Sequence, residues 1–327
     1  MKSAHQPMKD GTAVADALPF TAASLLAPME GVTEPCFRDL VLARNDPREL
    51  GGAFTEFVRV SGAPIPRAVL RRELGPKRFA QPVGVQLMGS DLEHLARTAH
   101  NAVEAGAPLL DLNFGCPAKG AIAGCAGSAL LRDPRALEGV VRAVVRAVSV
   151  PVTAKLRAGY DDAERIEDLA RAAENGGASL VTLHCRTRAE AYCEQVDWTR
   201  IARAVRAVSI PVCGNGGIAT HADLARMRRD TGAAFAMVGR GALADPWIFS
   251  GRRVSPGDAA RFLIEYADTM HERHQWPAGG IGARLKQLLR HWNAGGLVPD
   301  APTRSSFLRE RSTEALLARL RRVAEEA

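Results

Sequence analysis

From Ser24 to about Ser250, short apolar runs bounded by turns alternate with stretches whose apolar residues recur at helical spacing. The runs predict eight strands, at Ser24–Ala27, Ala53–Phe57, Val83–Leu87, Leu109–Asn113, Val152–Leu156, Leu180–His184, Pro211–Cys213 and Ala234–Val238. Helical patterns lie between them, among others at Leu92–Ala105, Arg135–Ala147, Ala163–Asn175, Trp198–Ala207 and Ala222–Thr231. The strands are nearly continuous in apolar character, which indicates burial on both faces. Eight strand–helix units over roughly 230 residues fit an α/β chain folded as a (β/α)8 TIM barrel better than a doubly wound sheet.

The alternation stops around Gly251–Pro256, and the remaining pattern is helical at Pro256–Arg273, Gly282–Asn293 and Thr313–Glu325. A Pro- and Gly-bearing loop is expected over Ala294–Ser306. The expected organisation is a flexible N-terminal tail over residues 1–20, a catalytic barrel over 21–250 and a C-terminal all-helical domain over 251–327. The first twenty residues lack the apolar core of a secretory signal, and no apolar run reaches the roughly 18 residues of a membrane span. A cytoplasmic protein is therefore expected, and a monomer.

Composition adds little to the fold and something to the partners. The chain of 327 residues is 46% hydrophobic and 24% charged, ordinary for a globular enzyme. Its six cysteines contain no C-x-x-C pair, so neither a disulfide framework nor a metal site is expected. The net charge is +7. From Gly251 onward 13 Lys/Arg stand against 9 Asp/Glu, a net of +4, while the first 250 residues hold 30 against 27, a net of +3. A more basic final quarter suits a polyanionic partner, although mild basicity is common.

Barrel enzymes place their chemistry at the carboxyl ends of strands, and those ends are polar here. They carry Pro28-Met29-Glu30, Glu56 and Arg59, Gln86, Asn113 and Cys116, Lys155 and Arg157, His184 and Arg186, Asn215-Gly216-Gly217, and Gly239-Arg240-Gly241. The glycine turns after the last two strands, with Arg240, form a backbone phosphate cradle, or else only tight turns. Gln86, Lys155 and His184 offer donors that suit an isoalloxazine ring, whose reduced form is stabilised by a cation at its N1–O2 edge. Taken singly, Lys155 could pair with a carboxylate and His184 could be a satisfied barrel-mouth histidine. Cys116, between Gly115 and Pro117, is either a reactive thiol or a small buried hydrophobe.

The ordered set Leu26-Ala27-Pro28-Met29-Glu30-Gly31-Val32, Asn113-Phe114-Gly115-Cys116-Pro117, Lys155-Leu156-Arg157, His184-Cys185-Arg186-Thr187, Asn215-Gly216-Gly217 and Gly239-Arg240-Gly241 resembles the tRNA-dihydrouridine synthases. Thr55-Glu56-Phe57-Val58-Arg59-Val60 and Ala283-Arg284-Leu285-Lys286-Gln287 resemble the bacterial C-type branch, which acts on uridine 16. The resemblance implies FMN as cofactor, NADPH as reductant and tRNA as substrate. It implies Cys116 as the general acid that protonates the uracil. Pro28, Met29, Gln86, Lys155, His184, Asn215, Gly216, Gly217, Gly239 and Arg240 become the FMN contacts. Glu56, Arg59, Asn113, Arg186, Tyr192, Arg284, Lys286 and Arg290 become substrate or tRNA contacts, with Arg304, Arg309 and Arg311 extending the basic patch.

Cys125, Cys185 and Cys193 stand where the family usually has glycine. Two other readings compete: a flavin oxidoreductase of free pyrimidines resembling dihydroorotate dehydrogenase, and a tRNA-binding or chaperone-like module. The basic tail and the lack of an iron–sulfur cysteine cluster weigh against the first, and the intact strand-end set weighs against the second. No G-x-G-x-x-G unit lies between a strand and a helix, so a nicotinamide would visit the flavin site rather than own a fold.

Overall fold

The structure, a computed structural model, describes residues 18–76, 79–191 and 195–326. Its strands are β1 (Ser24–Leu26), β2 (Gly52–Phe54), β3 (Val58–Arg59), β4 (Val83–Met88), β5 (Leu110–Phe114), β6 (Val152–Arg157), β7 (Leu180–His184), β8 (Val212–Asn215) and β9 (Phe235–Val238). All pairings are parallel, and β1–β9 and β2–β4 contacts close the sheet into an eight-stranded barrel with the two-residue β3 added beside β4. Helices on the outside connect the strands, as the continuous apolar runs require. The expected strand Ala53–Phe57 ends at Phe54, because the chain turns at Thr55–Phe57 before re-pairing as β3.

The barrel interior is packed in its lower part by Leu18, Leu25, Phe54, Leu109, Leu180, Phe235 and Met237. Phe20 closes the amino-terminal end, its ring 6.0 Å from Phe54 and 5.6 Å from Phe235 in edge-on geometry. Residues 18–20 are thus a floor plug, so the tail read as ending at residue 20 stops short of it.

Two of the longer barrel helices escaped the periodicity, Pro35–Arg44 after β1 and Arg67–Leu74 after β3. The first is buried on nearly every side, so it has no polar face to give a helical pattern. Its N-cap is Glu34, whose carboxylate accepts the Phe37 N–H at 3.1 Å.

The C-terminal part comprises helices Pro256–His274, Ala278–Leu289, Ala301–Arg309 and Thr313–Glu326. The stretch expected as a loop over 294–306 holds a 3-10 turn and most of Ala301–Arg309. Asp300 caps that helix through the Thr303 N–H (2.7 Å), and Pro302 in its first turn sits where no N–H is needed. This helical unit joins the barrel through one continuous apolar core. Phe262 and Tyr266 pack edge-on against Phe37, and Phe262 also meets Trp247 and Trp292. Polar ties flank the seam: Tyr266 Oη donates to Glu34 Oε1 (2.5 Å), and Arg273 pairs with Asp39 (3.5 Å). Among the described residues no helix is long and apolar enough to cross a membrane.

Candidate active site

Side chains alternate along a strand, so every second residue of each barrel strand points inward. The parallel register then aligns Gln86 with Asp111, Asn113 with Lys155, Lys155 with Thr182, and His184 with Asn215. The upper barrel is therefore polar, where the lower half is apolar. It opens into a cavity of about 900 Å3 whose wall includes Pro28, Met29, Asn113, Cys116, Lys155, His184, Arg186, Asn215, Gly216, Gly217, Gly239 and Arg240.

The polar groups are wired to one another. Gln86 donates to Asp111 Oδ2 at 2.6 Å and accepts from Asn113 Nδ2 at 2.8 Å, while Thr153 donates to Asp111 Oδ1 at 2.5 Å. Asn113 Oδ1 accepts the N–H groups of Gly115 (3.0 Å) and Cys116 (2.9 Å), which fixes the turn that carries the thiol. Lys155 Nζ donates to Asn215 Oδ1 at 3.0 Å, and Asn215 is held in turn by the Met237 carbonyl (2.8 Å). Burial pushes Asp111 up to about 6, against hydrogen bonds from Gln86 and Thr153. Burial draws Lys155 down to about 8, with Asp111 as the opposing charge that holds its proton.

His184 is held well below the usual histidine range by burial and by Lys155, Arg157 and Arg186, so it is neutral. Its Nδ1 accepts the Arg186 N–H at 3.3 Å, which leaves the proton on Nε2. Cys116 is raised above the ordinary thiol value, chiefly by burial. It is only 8% exposed, among Met88, Ala121, Ala126 and Phe57. A thiol in that setting keeps its proton at neutral pH.

The two glycine turns let the backbone line the wall. Gly216 and Gly217 adopt φ of 105° and 76°. A Cβ at Gly216 would stand 2.9 Å from Cys185 Sγ and 3.3 Å from His184 Nε2, and one at Gly217 would stand 2.9 Å from Val196. Cys185 thus fills the space beneath the Gly216 turn. Cys125, by contrast, takes a φ of 52°, a left-handed conformation that favours glycine.

Not every expected contact reaches the cavity wall. Gln86 lies beneath it as a support for Asp111 and Asn113. Glu56 accepts the Val32 N–H (2.9 Å) and holds the loop after β1, and Arg59 spans to the Gly120 carbonyl (2.5 Å). Arg284 sits beside Gly31, its guanidinium 5.1 Å from the Trp276 ring centroid. Lys286 donates to the Glu310 carbonyl, Arg304 to the Trp292 carbonyl (3.0 Å), and Arg290 is exposed. Tyr192 and Cys193 lie outside the described residues.

Four groups that touch or control the cavity were given no role from sequence: Asp111, Arg157, His291 and Asn293. Asp111 carries a legible mark, a carboxylate inside the apolar run Leu110–Leu112 at the same inward parity as Asn113. Arg157 bridges loops by donating to the carbonyls of Gly115 (2.8 Å), Thr187 (3.1 Å) and Ala191 (3.2 Å). His291 and Asn293 reach the wall from the helical unit, a placement only tertiary packing sets.

A closed parallel barrel with a donor-lined mouth, a glycine cradle and a protonated thiol defines a (β/α)8-barrel enzyme. The chain belongs to the dihydrouridine synthase family, whose model matches residues 25–291. It is 41% identical to the tRNA-dihydrouridine(16) synthase of Cupriavidus necator over 288 residues, covering 82% of this chain and 88% of that protein. Identity is also 41% to the tRNA-dihydrouridine(16) synthase of Aquipseudomonas alcaligenes, covering 68% of this chain and 72% of that protein. The tRNA-dihydrouridine synthase B of Pseudomonas syringae pv. tomato is 33% identical, covering 91% of this chain and 90% of that protein.

Proposed function

We propose that the protein reduces the C5=C6 bond of a uracil in tRNA to 5,6-dihydrouridine, with uridine 16 as its target, FMN in the mouth cavity and NADPH as reductant. One observation carries the reading: the protonated Cys116 thiol lines the same cavity as Lys155, His184 and the glycine cradle. The higher identity to proteins named for position 16 supports that position.

The residues present fit a flavin mononucleotide. The cavity has the volume of a cofactor site with room for a base. Lys155 supplies a buried cation for the electron-rich edge of the ring, and His184 Nε2 a neutral donor. The backbone at Gly216, Gly217 and Gly239 together with Arg240 suits the phosphate. Among the described residues Arg186, 3% exposed, has a buried Nε without a partner, a donor that a ligand would satisfy. When bound, FMN supplies the hydride that adds to C6.

The chain's own work is binding, orientation and proton delivery. A stacked uracil is out of reach of a barrel mouth, so the base must be extruded from the tRNA into the cavity. Asn113 pins the backbone of Cys116 and keeps a second amide N–H for the base edge. Cys116 then gives its proton to C5. Arg157 and Arg59 brace the loops around the thiol, and the helical unit over 251–327 holds the RNA by its phosphates.

Positional mapping of dihydrouridine in an unmodified tRNA transcript, after incubation with the purified protein, FMN and NADPH, tests the reading. Dihydrouridine at position 16 alone is the expected result. Reduction elsewhere would sink the assigned position, and a transcript left unreduced would sink the activity. Turnover of free uracil or orotate with tRNA inert would instead favour the free-pyrimidine reading.

A further inference from the structure

The corner between helices Ala278–Leu289 and Ala301–Arg309 is built to present side chains rather than to pass unnoticed. Trp292 is fully buried, stacks near Phe262 with centroids 5.7 Å apart, and donates its indole N–H to the Ala294 carbonyl at 3.1 Å. Arg304 donates to the Trp292 carbonyl, and the Asn293 N–H donates to the Ala244 carbonyl at 2.9 Å. The residues on either side of the anchored tryptophan, His291 and Asn293, both line the mouth cavity. The tie to Ala244 places them beside Arg240–Ala244, the turn that follows β9 and carries the arginine of the glycine cradle.

Basic side chains gather at this corner. Burial, with the charges of Arg240, Arg290 and Arg304, holds His291 below the usual histidine range. Among the described residues Arg304 also keeps a buried Nε without a partner. An anion at the cavity edge is attracted by guanidinium groups and meets a neutral imidazole that can donate to it.

We infer that the side chains of His291 and Asn293, supplied by the helical unit, are further ligands of a phosphate monoester at the cradle end of the cavity, the phosphate of the flavin nucleotide. The inference rests on the flavin reading above and extends it: the cofactor pocket is completed by the C-terminal helices, so the barrel alone holds the cofactor less well. The imidazole N–H and the Asn293 amide N–H donate to phosphate oxygens opposite the backbone donors of Gly216, Gly217 and Gly239.

FMN and riboflavin differ only in that phosphate, so their comparison isolates it. Each is titrated by fluorescence quenching into the full chain freed of flavin, as wild type, His291→Ala, His291→Gln and Asn293→Ala, with the melting temperature of each variant recorded. The expected result is an FMN dissociation constant raised about tenfold in the alanine variants and less in His291→Gln, with riboflavin affinity unchanged. An unchanged ratio of FMN to riboflavin affinity overturns the inference, as does equal weakening of both ligands, which would mark a packing role. A wild-type chain that binds neither flavin would overturn the cofactor reading itself, an outcome distinct from loss of the FMN preference.

Discussion

At the barrel mouth, burial acts on two neighbouring groups with opposite results. It raises the Cys116 thiol and lowers the Lys155 ammonium, because in each case the charged form is the one that loses water. For Cys116 this keeps the acid form through the neutral range. Cys116→Ala should therefore cut dihydrouridine formation by about 10²–10⁴-fold while flavin affinity stays near wild type, and a variant with undiminished product would remove the thiol from the mechanism. For Lys155 the folded value near 8 lies below the ordinary 10.5, so the cation is lost as pH rises through about 8. Flavin affinity should weaken over that interval. In Asp111→Asn the carboxylate that retains the proton is gone, and the midpoint in a titration of FMN affinity against pH should move below 8. The depressed value also costs stability. That cost is fully present below pH 8 and fades between about 8 and 10.5, where the unfolded chain binds the extra proton.

At the scale of elements, the helix Pro256–His274 and the helix Pro35–Arg44 share one seam of aromatic rings. Phe262→Ala opens a cavity at its centre and should cost about 3–5 kcal/mol. Because the apolar core runs unbroken from barrel to helical unit, calorimetry should show a single transition shifted down, and two separated transitions would mean that the units are independent. The same seam explains what the sequence could and could not disclose. Strands buried on both faces announce themselves as apolar runs, and all eight barrel strands were legible within a few residues. Pro35–Arg44 was not, because its burial on nearly all sides removes the polar face that makes a helix visible. Ala301–Arg309 was hidden by Pro302, read as a breaker although it occupies the first turn. Within the site, strand-end residues such as Lys155, His184 and Asn215 were legible because barrel geometry fixes where strand ends point. His291 and Asn293 were not, since nothing local records which helix corner docks beside β9.

For the whole molecule the question is where an RNA would meet the excess positive charge. The net of +4 in the residues from Gly251 onward is not all equally exposed. Lys286 is half-buried and donates to the Glu310 carbonyl, and Arg304 is half-buried and donates to the Trp292 carbonyl, so both brace the helical unit. Arg290, Arg309 and Arg311 differ: each is exposed on the helical unit, and no carboxylate pairs with any of them among the described residues. Phosphate contacts of this kind position an RNA without reading its bases. Each phosphate neutralised releases counterions and adds about 0.7–0.9 to the slope of log affinity against log salt. The triple substitution Arg290→Gln, Arg309→Gln, Arg311→Gln should therefore flatten that slope by about 2–3. The matching change in Lys286 should act instead through stability, lowering the melting temperature with little change in slope. Equal slopes for wild type and triple variant would move the RNA to another face of the molecule, and the barrel rim around Arg59 and Arg186 would be the next surface to test.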